Sequence, residues 1–71
     1  MKHLKQLSAL DLLIEARKHF RFQVNIANFL GVSERNISYW KSINFITPVH
    51  RLKLERKIIK FRKEMIWILI Y

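Results

Sequence analysis

The chain has 71 residues and a mass of 8.7 kDa, about half of a typical domain, which leaves room for one small domain and excludes a two-domain enzyme built round a deep cleft. There is no cysteine to staple it, so its 51% hydrophobic residues must supply the core, and with Gly 1 and Pro 1 it lacks the turn chemistry of a many-stranded sheet. Fourteen Lys and Arg against five Asp and Glu give a formal charge of +9 and a pI near 10.5, a field that attracts nucleic acid, an anionic membrane face or an acidic protein without choosing among them. Charged residues at 27% argue against disorder, and the expectation is a mostly helical domain. The absence of cysteine fits a reducing, cytoplasmic setting. Met1-Lys2-His3-Leu4-Lys5 is followed by no apolar stretch or small-residue cleavage site, so it does not read as a signal peptide. The one long apolar run, residues 65–71, falls well short of the roughly 20 residues that span a bilayer as a helix.

Four helices are expected in chain order. The first follows Ser8, whose hydroxyl caps a helix start while Asp11 offers the reciprocal carboxylate. Its predicted inner stripe is Leu10, Leu13, Ile14 and Arg17, and it should end between His19 and Phe22. The second runs from Gln23 to Leu30 with Ile26, Ala27 and Leu30 inward, and Gly31 stops it because glycine enters the left-handed region without a Cβ penalty. A third starts at once from Ser33 as N-cap, with Val32 stapling onto Ile37 and with Ile37 and Trp40 on one face. Ser42-Ile43-Asn44-Phe45-Ile46 favours an extended connection. Thr47-Pro48 then opens a fourth helix, whose stripe is Leu54, Ile58, Phe61 and Met65. Beyond it, Met65-Ile66-Trp67-Ile68-Leu69-Ile70-Tyr71 can continue the helix or form a strand, and its β-branched and aromatic content leans towards the strand. The chain thus divides into a domain over 1–64 and an apolar tail over 65–71.

The informative stretch is Gln23 to Trp40, where two helices are joined by three residues. Such a joint needs a small side chain where the helices cross, a glycine in the turn and an apolar wedge on the second helix. Ala27, Gly31 and Ile37 meet those needs at positions five, nine and fifteen of a unit that begins at Gln23. This resembles the helix-turn-helix of phage and bacterial repressors. Trp40, Ile46-Thr47-Pro48, Leu52, Leu54 and Glu55 extend the likeness to the Cro-type and YdaS-type branch over residues 10–56. Where that branch turns on glycine and basic residues after the tryptophan, this chain has Ser42-Ile43-Asn44-Phe45. The resemblance implies an all-α, lambda-repressor or Cro-like domain of four helices that binds duplex DNA as a dimer in the bacterial nucleoid and regulates transcription, as a repressor rather than an activator.

Carried over position by position, the resemblance makes Glu34, Arg35, Ser38 and Tyr39 the side chains that face base edges. Chemistry agrees for Arg35, which can pair bidentately with a guanine, for Ser38, a flexible partner, and for Tyr39, which can reach a phosphate or a thymine methyl. Glu34 either accepts from a cytosine amine or complements the helix dipole. Gln23, Asn25 and Ser33 at helix starts, with Lys41 and Arg51, are candidates for phosphate contacts. Trp40 lies on the Ile37 side and reads as core. The bland alternative for the whole unit is a helical hairpin with no ligand.

Seven basic residues, Arg51, Lys53, Arg56, Lys57, Lys60, Arg62 and Lys63, crowd thirteen positions of the fourth helix, as a solvated face or as an electrostatic aid to DNA binding. An exposed apolar tail without a charge to guard it would aggregate, so Ile66, Trp67, Ile68, Leu69 and Ile70 are expected to pair two copies, which would set two recognition helices about 34 Å apart. Alternatively the tail docks a partner protein, as in an antitoxin, or anchors a basic amphipathic helix at a membrane surface, the less favoured reading. His3, His19 and His50 are scattered without ligand spacing, and no nucleophile elbow, phosphate loop or carboxylate pair is present, so no metal, cofactor or enzymatic activity is expected.

Overall fold

The computed structural model describes the backbone over residues 4–70 and the side chains over residues 4–64. The first helix begins where Ser8 Oγ accepts a hydrogen bond from the Asp11 N–H at 3.2 Å. A short 3-10 turn, Leu4–Gln6, precedes it, and α1 then spans Ala9–Phe20. It ends because Arg21 adopts φ 71°, ψ −50° and the Phe22 N–H reaches back to the Phe20 carbonyl at 2.8 Å. That is a three-residue γ-turn in a sparsely populated backbone region.

The stripe predicted for α1 is corrected by one position. Ala9, Leu12, Leu13 and Ala16 are buried, whereas Leu10 is 36% and Ile14 49% exposed and Arg17 lies in solvent. Apolar residues occur almost all round this helix, so periodicity alone could not choose the inner face. The small Ala9 and Ala16 let neighbouring backbones come close, and that settles it.

Helix α2, Gln23–Leu30, buries Ile26, Ala27 and Leu30 as its spacing predicts. Gly31 takes φ 74°, ψ 31°; its own N–H bonds the Asn28 carbonyl at 3.3 Å and the Val32 N–H bonds the Ala27 carbonyl at 3.0 Å. These are the two bonds of a Schellman ending, and they satisfy carbonyls that the helix would otherwise leave open. Ser33 then caps α3, Glu34–Ile43, by accepting from the Asn36 N–H at 3.1 Å. Ser42 and Ile43, expected in an extended connection, belong to this helix. Its end falls at Asn44, which adopts φ 52°, ψ 51° while the Phe45 N–H reaches the Trp40 carbonyl at 3.0 Å. Asparagine tolerates that region better than other side-chain-bearing residues. Asn44 also accepts the Leu10 N–H on its Oδ1 at 2.9 Å, which supplies one of α1's unpaired first-turn donors.

Helix α4 starts at Pro48, where the Thr47 carbonyl accepts the Arg51 N–H at 2.8 Å, and runs Pro48–Ile70. The four α-helices and the absence of any strand among the described residues make the chain all-α. The lean towards a strand after residue 64 is therefore corrected to a continuation of α4. Once a helix is nucleated each added residue gains a hydrogen bond at little cost, which outweighs the context-dependent strand preference of Ile and Trp. The side chains of Met65, Ile66, Trp67, Ile68, Leu69, Ile70 and Tyr71 lie outside the described residues, and with them the pairing assigned to that segment.

All four helices contribute to one core. Leu12, Leu13, Ile26, Ile37, Leu54 and Ile58 are its fully buried large side chains, with Trp40 and Ile46 beside them. An aromatic cluster joins α1, α2 and α4: Phe20 lies 5.4 Å from both Phe29 and Phe61, and His19 stacks on Phe61 at 5.6 Å. His50 packs against Trp40 at 5.3 Å. At the edge of the α1–α4 contact, Glu15 accepts from Lys18 at 3.0 Å and Arg62 at 3.1 Å. The hydrogen bond from Lys18 holds its carboxyl below the usual glutamate range, opposed by burial and aided by a second hydrogen bond from Arg62.

Two predictions follow from these joints. A Cβ on residue 31 would meet nothing within 4 Å, so Gly31→Ala should lose only the backbone term, roughly 1–2 kcal/mol in urea denaturation, and Gly31→Asn should lose less. A full loss of folding in Gly31→Ala would instead mean that the turn packs against something. Glu15, lowered in the folded state, contributes stability that is present above the unfolded carboxyl pKa and lost as pH falls through the folded value. Melting temperatures taken from about pH 5 down to 3 should accordingly fall less in Glu15→Gln than in the parent.

Candidate nucleic-acid interface

Helix α3 has two unlike faces. Ile37 and Trp40 are buried, which fixes the helix's rotation about its own axis and turns Glu34, Arg35, Ser38 and Tyr39 outward together. Tyr39 is 58% exposed. Arg35 joins none of the ion pairs among the described residues, so its guanidinium is available to a ligand. Glu34 occupies the first turn of α3, where a carboxylate complements the helix dipole.

The outer edge of α3 is held to the start of α2 by one side chain. Gln23 Nε2 donates to the Glu34 carbonyl at 3.2 Å and to Ser38 Oγ at 3.0 Å, while its Oε1 accepts from Lys41 Nζ at 2.7 Å. Both amide hydrogens and one carbonyl lone pair are thereby used, and each turn of α3 is fastened to α2 at a polar, solvent-facing seam. Ser38 takes the amide hydrogen on its oxygen and keeps its own proton to donate outward. Three residues expected to act separately, Gln23, Ser38 and Lys41, thus form one connected group.

Other candidates for phosphate contact sit differently. Ser33 uses its oxygen as the α3 cap. Asn25 donates from Nδ2 to the Phe20 carbonyl at 2.9 Å, so it closes the α1 end as well as opening α2. Arg51 has partners within the chain: its Nη2 donates to the Leu4 carbonyl at 3.1 Å and the Leu7 carbonyl at 2.6 Å, and its Nε lies 3.7 Å from Glu55 Oε2. Glu55 is only 7% exposed. A half-buried guanidinium so engaged clamps the N-terminal turn to α4. The signal was present in the sequence as Arg51 and Glu55 at i, i+4, but nothing local showed that the pair turns inward.

Other exposed cations include Arg17 and Lys18 on α1, Arg21 just after it, and Lys53, Arg56, Lys60 and Lys63 along α4. Comparison with family models, with curated proteins and with solved structures finds no match to this chain.

The Gln23 seam yields a direct check. Gln23→Ala should lower stability by about 1 kcal/mol in a urea titration and should leave the α3 caps intact. Unchanged stability, with unchanged amide exchange at Ser38 and Lys41, would show that the seam holds nothing.

Proposed function

We propose that this chain is a sequence-specific duplex-DNA-binding domain of the helix-turn-helix kind, acting as a transcriptional regulator with α3 laid in the major groove. The observation that carries the reading is the outward set Glu34, Arg35, Ser38 and Tyr39 on a short helix whose opposite face is locked into the core and which follows α2 after only Gly31, Val32 and Ser33. A net charge of +9 supplies the non-specific attraction that brings such a helix to a duplex. In this reading Arg35 reads a guanine edge, Ser38 and Tyr39 adapt to the neighbouring bases, and Lys41 with the Gln23 amide touches the backbone beside them. Glu34 either discriminates for cytosine or keeps clear of the duplex. A Cro-like repressor role, a cytoplasmic location and action as a pair of copies go with the resemblance and with the apolar sequence of residues 65–71. Among the described residues no helix is long and apolar enough to cross a membrane.

The test is fluorescence anisotropy with random and selected duplexes. Affinity for random duplex should fall by about one log unit per log unit of salt for each phosphate neutralised. Arg35→Ala should cost about 1–3 kcal/mol at the preferred site and flatten discrimination, whereas Lys41→Ala should weaken all sequences alike. Absence of binding at about 50 mM salt would end the proposal.

A further inference from the structure

Away from α3, the α2–α4 side of the molecule holds an open groove of about 500 Å³. Its floor is apolar, formed by Phe29 of α2 with Val49 and Leu52 of α4, and cations line it at Lys53, Arg56 and Lys60. Val49 is 73% and Leu52 46% exposed, although nothing in helix formation requires large apolar side chains in water there. Two of the cations, Lys53 and Lys57, lie against the aromatic ring of this floor. Lys53 Nζ sits 5.0 Å from the centre of the Phe29 ring, and Lys57 Nζ lies 5.7 Å from the same ring and 5.0 Å from that of Phe61. Cation–π attraction therefore holds positive charge within a few ångströms of uncovered apolar surface. No acidic side chain lines the groove, and no α3 residue does.

We propose that this groove docks an acidic amphipathic helix of a partner protein, its apolar ridge on Phe29, Val49 and Leu52 and its carboxylates against Lys53, Arg56 and Lys60. Charge complementarity selects this occupant. A second copy of the chain would bring +9 onto a cationic groove, and its exposed acids, Asp11, Glu34 and Glu64, stand singly on three different helices. A phosphate backbone would satisfy the cations but leave the apolar floor of Phe29, Val49 and Leu52 uncovered. A helix with an apolar stripe flanked by Asp and Glu satisfies both parts at once. The inference stands apart from the DNA-binding proposal, since none of its residues belongs to α3.

The probe is a fluorescein-labelled peptide of about 18 residues, an amphipathic helix with Leu and Phe at i, i+3, i+4 and i+7 and Asp and Glu on the flanks, beside a scrambled peptide of the same composition. The full chain should bind the ordered peptide saturably and the scrambled one at least about tenfold more weakly, and Leu52→Ser and Arg56→Glu should each weaken binding about tenfold. Arg35→Ala should bind the peptide as the parent does. Both groove substitutions replace exposed side chains, and on the unaltered chain the methyl NMR signals of Val49 and Leu52 should shift on titration. Equal affinity for the scrambled peptide, unaltered affinity in both variants, or methyl signals that stay fixed while peptide binds would overturn the proposal. So would a loss of random-duplex affinity in Leu52→Ser as large as the loss for peptide, which would mark the groove as a nucleic-acid surface.

Discussion

The arrangement of the polar face depends on one left-handed residue. Gly31 turns the chain between α2 and α3 within three positions, and the two Schellman bonds to Asn28 and Ala27 fix the direction in which the backbone leaves. Because the connection is so short, α3 cannot be rotated independently of α2: Ile37 must enter the core, and once it does Arg35 and Tyr39 have only solvent to face. A longer or looser joint would keep the same residues and lose their common direction.

Polar side chains reinforce that joint in ways that residue type alone does not announce. Gln23, Asn25 and Asn44 each bond across a helix boundary, to Ser38 and Lys41, to Phe20 and to Leu10 respectively. These contacts tie the ends of short helices whose own hydrogen bonding is incomplete. In a core assembled from few large side chains, satisfied helix ends carry an unusual share of the structural specificity. The surface beyond them is left strongly cationic, with Glu15 paired at the edge of the α1–α4 contact and Glu55 beside Arg51 within it.

Local signals in the sequence were readable where chemistry is local. Ser8, Gly31, Ser33 and Pro48 mark helix boundaries because capping and left-handed turns depend on the residue at the boundary itself, and Ile26, Ala27, Leu30, Ile37 and Trp40 follow a single unambiguous stripe. The inner face of α1 is not legible from period alone, because seven of its twelve residues are apolar and spread around the axis, so neighbours choose it. The connection after Trp40 was misread because Ile43 favours strands on average, while Asn44 supplies a left-handed ending that no propensity scale registers. The outward set on α3 followed directly from the buried stripe. The Gln23 seam did not, since its partners lie 11 to 18 positions away. Arg51 shows the same limit more sharply: a basic residue in a basic helix gives no hint that it bonds carbonyls 44 and 47 positions earlier.

That guanidinium also sets an order of events for folding. The helices and their caps close over a few residues, whereas bringing Leu4 and Leu7 to Arg51 closes loops of 47 and 44 positions. The clamp shares this dependence with the Glu15–Arg62 pair, which spans the same 47 positions, so both require α1 and α4 to have met around the core. The beginning of the chain is thus held by bonds that exist only when the distant helices are packed together.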